Sequence, residues 1–105
     1  MRELVCTAKR AGDFESRTEE YELILSVNGA ERPVFVKYLA SRAYEINAAL
    51  DSCVEAAREA ISAAGVDARP TDEQLSQFSW RAMQSVKYDE GESKTSTLKM
   101  STTES

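Results

Sequence analysis

Residues 3 to 9 alternate, with Leu4, Cys6 and Ala8 on one side and Val5, Thr7 and Lys9 on the other. That is the two-residue period of a strand with one buried face. From Glu20 to Val27 the alternation is clearer, and Tyr21, Leu23, Leu25 and Val27 share a face. Asn28-Gly29 follows, a pair that tolerates positive φ and so favours a tight hairpin turn. A two-residue turn pairs Leu23 with Val34, Tyr21 with Val36 and Glu20 with Lys37. A four-residue loop instead pairs Leu25 with Val34, Ile24 with Phe35 and Glu22 with Lys37. The registers differ by two residues, so the same face is buried in both. Pro33 has no N–H to give a ladder, which places it with its nitrogen facing outward on an edge strand or at an interruption of pairing.

Beyond the strands the period becomes helical. Leu39, Ala43, Ile46, Leu50, Cys53, Ala57, Ala60 and Ala64 recur at alternating spacings of four and three, a seam rich in alanine. Ser41 is the expected N-cap and Gly65 the expected left-handed terminator. Arg42, Glu45, Ser52, Glu55, Glu59 and Ser62 form the opposite, solvated side. A seam of small side chains admits close approach by the chain's own sheet or by a second molecule. Because the apolar hairpin face has no other obvious cover, the seam is assigned to the core. Thr71-Asp72-Glu73-Gln74 supplies a Thr-x-x-Gln capping box for a second helix running to about Lys87. Leu75, Phe78, Ala82 and Val86 share its apolar face, and Trp80 lies off that stripe.

These elements predict an α+β domain over residues 1 to 88. Its plan is a three-stranded antiparallel meander sheet packed against two C-terminal helices, in the order β-β-β-α-α. Residues 89 to 105 are polar and rich in serine and threonine, which predicts a flexible tail. Thr95 to Thr102 nevertheless alternates, with Leu98 and Met100 on one side. A strand added to an exposed sheet edge, in this molecule or in a partner, is therefore the alternative.

A length of 105 residues suits one small domain with a modest core. The formal net charge is -5 and histidine is absent, which changes the chemistry available. Ser-His-Asp and Cys-His arrangements, HExxH sites and most zinc ligand sets are removed together. Cys6 and Cys53 lack CxxC spacing and cannot close a zinc site alone, and there is no P-loop or GxGxxG. No catalytic, cofactor-binding or metal-binding residue is assigned, and the chain reads as a non-enzyme. The start, Met-Arg-Glu-Leu-Val-Cys, lacks the apolar run of a secretory signal, and no stretch has the length of a membrane span. Two buried thiols in a reducing cytoplasm are the expectation.

Function by contact is what these exclusions leave. Trp80 with Arg81, Met83, Gln84 and Lys87 forms one candidate surface on the outer side of the second helix, since Trp and Arg anchor binding hot spots. In the alternative, Trp80 is covered by the tail or by the first helix. Asp13, Glu15, Glu19, Glu20 and Glu22 form a second, acidic candidate, suited to a partner with a basic nucleic-acid-binding groove. For nucleic acid itself, three strands followed by a helix resemble, in topology, AP2-like and integrase arm-binding domains, whose sheets neutralise phosphates with clustered Arg and Lys. Here Arg2, Lys9, Arg32 and Lys37 are offset by Glu3, Glu20, Glu22 and Glu31.

In general character the chain resembles small orphan proteins encoded by phages and mobile elements, inhibitors of host-defence nucleases among them. That resemblance implies a protein-binding inhibitor or adaptor. A homo-oligomer built through the helix seam or a sheet edge is the alternative, and nucleic-acid binding through the sheet ranks third.

Overall fold

The structure, a computed structural model, describes residues 2–11, 17–89 and 91–101. Along the chain come β1 (Arg2–Arg10), β2 (Thr18–Val27), β3 (Ala30–Leu39), α1 (Ala43–Ala63), α2 (Asp72–Ser85) and β4 (Ser93–Met100). The strands form one antiparallel sheet of four in the order β3-β2-β1-β4. The fold is α+β as the sequence predicts, with one strand more than expected.

That strand is β4, which lies within the segment expected to be a flexible tail. Its register pairs Leu98 with Leu4 and Met100 with Arg2, so its two apolar side chains join the inner face. A full ladder along β1 and the burial of Met100 outweigh a composition that alone reads as disorder. The order of elements is therefore β-β-β-α-α-β.

The β2–β3 hairpin takes the two-residue turn. Asn28 (φ 50°) and Gly29 (φ 86°) both adopt the left-handed conformation that such a turn requires. Leu23 faces Val34, Tyr21 faces Val36 and Glu20 faces Lys37, which rules out the four-residue loop. Pro33, opposite Ile24, lies on an edge strand. α1 starts one residue later than expected, with Arg42 rather than Ser41 at the N-cap and no side-chain cap hydrogen bond. Glu45 reaches back instead, its Oε1 accepting from the Leu39 amide at 3.1 Å. Gly65 (φ 69°) ends α1 as expected, where the Gly65 amide donates to the Ser62 carbonyl and that of Val66 to Ile61. The Thr71 capping box opens α2, the Gln74 amide donating to Thr71 Oγ1 at 3.1 Å and the Thr71 amide to Gln74 Oε1 at 2.8 Å.

Both helices lie on one face of the sheet, α1 across β3 and β2 and α2 across β1 and β4. Cys53, Ala57 and Ala60 of the seam are fully buried against Leu4, Cys6, Leu23 and Leu25 of the strands. From Cys53 to Ala60 the seam is core, and its alanines let the helix sit close to the sheet, whereas Ile46 and Leu50 are half-buried and Ala43 is exposed. Cys6 and Cys53 are free thiols inside it. Burial pushes Cys6 up to about 12, with a smaller push from Cys53. Burial likewise pushes Cys53 up to about 11, against an opposing hydrogen bond with Ser79. Thiols held protonated in this way are poor nucleophiles. Among the described residues, no helix is long and apolar enough to cross a membrane.

Candidate functional site

The five α2-side candidates do not form one surface. Met83 is fully buried, because its position on α2 turns it toward the core beside Ala82 and Val86, and it leaves the candidate patch. Arg81 is exposed, whereas Gln84 and Lys87 are half-buried. Lys87 turns toward the sheet, with Nζ 3.9 Å from Glu19 Oε2. Trp80 is half-buried and tilts against the Tyr38 ring of β3, at 6.4 Å between centroids and 33° between planes. Its remaining surface lines an apolar groove of about 360 Å³ between α1 and α2, with Ile46, Leu50, Ser76 and Gln77.

The acidic candidates separate as well. Asp13 and Glu15 lie outside the described residues. Strand alternation sends Glu19 to the inner face and Glu20 and Glu22 to the outer one. Glu19 is only 6% exposed and is therefore no part of a solvent-facing acidic surface. Glu20 Oε1 lies 3.7 Å from Lys37 Nζ across the hairpin.

Glu19 instead belongs to a buried polar cluster at one end of the sheet. The Tyr21 hydroxyl donates to Glu19 Oε1 at 2.6 Å. Arg10, 2% exposed, lies with its guanidinium carbon 5.7 Å from the centroid of the Tyr21 ring and donates from Nη1 to the Lys87 carbonyl at 2.6 Å. Tyr21 stacks on Tyr38, with centroids 6.2 Å apart. Burial, then the hydrogen bond to Glu19, drives the Tyr21 phenol far up, so it is a donor at every ordinary pH. Burial first, then the Glu19 charge, pushes Tyr38 up to about 12, although the nearby Tyr21 hydroxyl acts in the opposite direction. The proton of the Tyr21 hydroxyl goes to Glu19, and the buried Tyr38 oxygen has no hydrogen bond of ordinary geometry among the described residues.

Beside this cluster lies a recess of about 230 Å³ lined by Arg10, Arg17, Glu19, Ala40, Ser41 and Lys87. Sequence reasoning did not single out Arg10 or Arg17. A signal for Arg10 existed, since it continues the inward period of Leu4, Cys6 and Ala8 on β1. Nothing local marks Arg17, whose φ of 63° is seen only in the fold. No group of three or more His, Cys, Asp or Glu side chains placed to hold a metal ion occurs among the described residues. Comparisons with protein-family models, with curated proteins and with solved structures give no match.

Proposed function

We propose that this chain is a non-enzymatic binding module of inhibitor or adaptor type, acting in the cytoplasm. It takes an apolar segment of another protein, flanked by basic residues, into the groove between α1 and α2. The observation that carries this reading is the groove itself: Ile46, Leu50 and Trp80 leave apolar surface open to solvent beside only two polar side chains, Ser76 and Gln77. Tryptophan in such a setting supplies a large, stiff anchor for a partner.

Charge supports the choice of partner. Asp51 stands next to Leu50 on α1, and Glu73 lies one turn before Gln77 on α2 and accepts from its side-chain amide. Both are exposed, and neither makes an ion pair among the described residues. Lys and Arg beside an apolar anchor complement that rim, as on a protein that itself binds nucleic acid.

The test compares wild type with the double variant Asp51→Lys/Glu73→Lys and with Trp80→Phe, in capture from the native host followed by titration of the recovered protein. A partner held by wild type and weakened by both variants, with the melting temperature of Asp51→Lys/Glu73→Lys unchanged, supports the reading. Equal retention by the variants, or recovery of nucleic acid without protein, overturns it. Light scattering covers self-assembly, since a dimer dissociated by the same variants would reassign the groove to a second copy of the chain.

A further inference from the structure

We infer that the open edge of β4 is a self-association surface, at which the chain pairs antiparallel with the β4 of a second copy about a twofold axis. The direction of the backbone groups follows from the hairpin. A two-residue turn closes on the hydrogen-bonded pair Val27–Ala30 and pairing alternates from there, so the even-numbered residues of β2 turn their N–H and C=O toward β1. The Ala11 amide donating to the Glu20 carbonyl at 2.8 Å agrees. On β1 the even-numbered residues then serve β4, through Leu4–Leu98, Cys6–Ser96 and Ala8–Lys94. Ser93, Thr95, Thr97 and Lys99 therefore present their backbone groups away from the sheet, and none of those groups has a partner among the described residues.

The opposite edge is closed by its own sequence. On β3 the same alternation turns Pro33, Phe35, Lys37 and Leu39 outward. Pro33 has no N–H, the Leu39 amide donates to Glu45 Oε1 at 3.1 Å and the Leu39 carbonyl accepts from the Arg42 amide at 3.0 Å. Proline and capped groups keep an edge strand from pairing, and β4 has neither. The helices point the same way. α1 lies over β3 more than over β2, so a copy added at β3 would force two α1 helices closer than the roughly 8 Å that packed helices need. α2 lies across β1 and β4, and with strands about 4.8 Å apart two copies of α2 beside a β4–β4 seam stand about 10 Å apart, within the usual spacing.

The strand is also complementary to itself in charge. Its outward groups sit on odd-numbered residues, so in an antiparallel self-pairing odd faces odd and even faces even. Lys94 and Lys99, the only charged residues of β4, therefore never oppose each other. In the register centred on Ser96, Ser93 faces Lys99 of the second copy and Thr95 faces Thr97, which satisfies every outward N–H and C=O of both strands. Leu98, half-buried at the edge, comes opposite the Lys94 stem of the second copy. The groove between the helices lies on the α1 side of α2 and stays open.

The test is sedimentation velocity of the full chain over a range of concentrations. Wild type is expected to pass from one chain to two as concentration rises. Thr97→Pro removes an outward N–H and leaves the ladder to β1 intact, so it should yield a folded single chain at every concentration. Thr95→Lys/Thr97→Lys changes no backbone group, sets Lys against Lys across the twofold axis and should likewise abolish the dimer. Mixed with Thr95→Glu/Thr97→Glu, itself a single chain when alone, it should form a particle of two chains, one of each kind, which a mere loss of stability would not produce. A wild type that stays a single chain, a dimer retained by both Thr97→Pro and Thr95→Lys/Thr97→Lys, or a mixture that does not associate overturns the inference. So does a dimer lost in Asp51→Lys/Glu73→Lys and kept in Thr97→Pro, which makes the groove the interface. A single-chain wild type whose capture of another protein is lost in Thr97→Pro assigns the edge to a foreign strand and also overturns self-pairing. Asp51→Lys/Glu73→Lys leaves a β4 dimer intact, so failure of the groove reading is distinguishable from failure of this one.

Discussion

Replacing Tyr21 by phenylalanine removes one oxygen from a side chain that is 0% exposed, and replacing Tyr38 removes one from a side chain that is 1% exposed. The rings are stacked neighbours, yet the two substitutions are expected to act in opposite directions. The Tyr21 oxygen donates to a buried carboxylate at 2.6 Å. A hydrogen bond to a charged group contributes about 1.5–3 kcal/mol net, and its loss also strips Glu19 of its shortest contact. Tyr21→Phe should therefore destabilise the protein by about 2 kcal/mol.

The Tyr38 oxygen has no hydrogen bond of ordinary geometry among the described residues. A buried unpaired hydroxyl costs about 1–3 kcal/mol relative to water, and its removal recovers that while leaving a void of one atom. Tyr38→Phe should leave stability unchanged or raise it by about 1 kcal/mol. Urea unfolding followed through Trp80 measures both, because the sole tryptophan packs 6.4 Å from the Tyr38 ring. Equal losses in the two variants, or a cost above about 1 kcal/mol for Tyr38→Phe, would show that the Tyr38 hydroxyl has a partner and that the cluster is wired differently.

Two further outcomes follow from the core. Cys6 and Cys53 are held near 12 and 11 against an ordinary 9.0, so the unfolded chain loses these protons first as pH rises. The contribution of these thiols is flat below pH 9 and falls above it, up to about 11 for Cys53 and about 12 for Cys6, by roughly 1 kcal/mol per pH unit for each. Denaturant titrations across that range should show a shallower alkaline limb in Cys6→Ala than in wild type, and an unchanged slope would refute the assignment. Ala57→Leu adds three heavy atoms where the helix seam meets the sheet at 0% exposure, and should cost about 1–3 kcal/mol. Ala63→Leu, exposed on the same helix, should change stability by less than about 0.5 kcal/mol. A seam that served as an interface would give the contrary result, with Ala57→Leu folding normally while breaking an oligomer.

The hairpin and both helices were legible because their signals are local. Leu23 facing Val34 follows from Asn28-Gly29 and a period of two, and the Thr71 box and Gly65 mark helix ends through bonds spanning at most a few residues. The alternation that places Leu98 and Met100 on one side marks β4 only as an alternative to a tail, because its ladder partner lies near the other end of the chain, where Thr7 faces Thr95 and Leu4 faces Leu98. Composition saw the serines and threonines and could not see the open edge of β1. The acidic hairpin failed for a different reason: Glu19, Glu20 and Glu22 were grouped by charge, although the alternation that revealed the strand also separates Glu19 from the other two. Arg10 could be placed inward by the same alternation, but its partner Lys87 is 77 residues away and no local pattern connects them. Ile46 and Leu50 sit on the seam by spacing, and only the packing of α2 shows that Trp80, Ser76 and Gln77 leave them partly open.

The groove and the recess are joined through the core. Trp80 of the groove wall tilts against Tyr38, Tyr38 stacks on Tyr21, and Tyr21 lies beneath Arg10 of the recess wall, at successive spacings of 6.4, 6.2 and 5.7 Å. A substitution at Trp80 or Arg10 therefore perturbs both surfaces, whereas Asp51 and Glu73 are exposed and report on the groove alone. Stability alone does not account for the buried end of this chain of contacts. Taking a guanidinium and a carboxylate out of water costs several kcal/mol per ion, on the order of what their interactions return, and well-packed apolar residues of the same volume often do as well or better. Arg10 and Glu19, at 2% and 6% exposure, are thus better explained by what they hold in position than by what they add to folding. What they hold is the Tyr21–Tyr38 stack that backs the groove tryptophan, Glu19 through the Tyr21 hydroxyl and Arg10 over the Tyr21 ring.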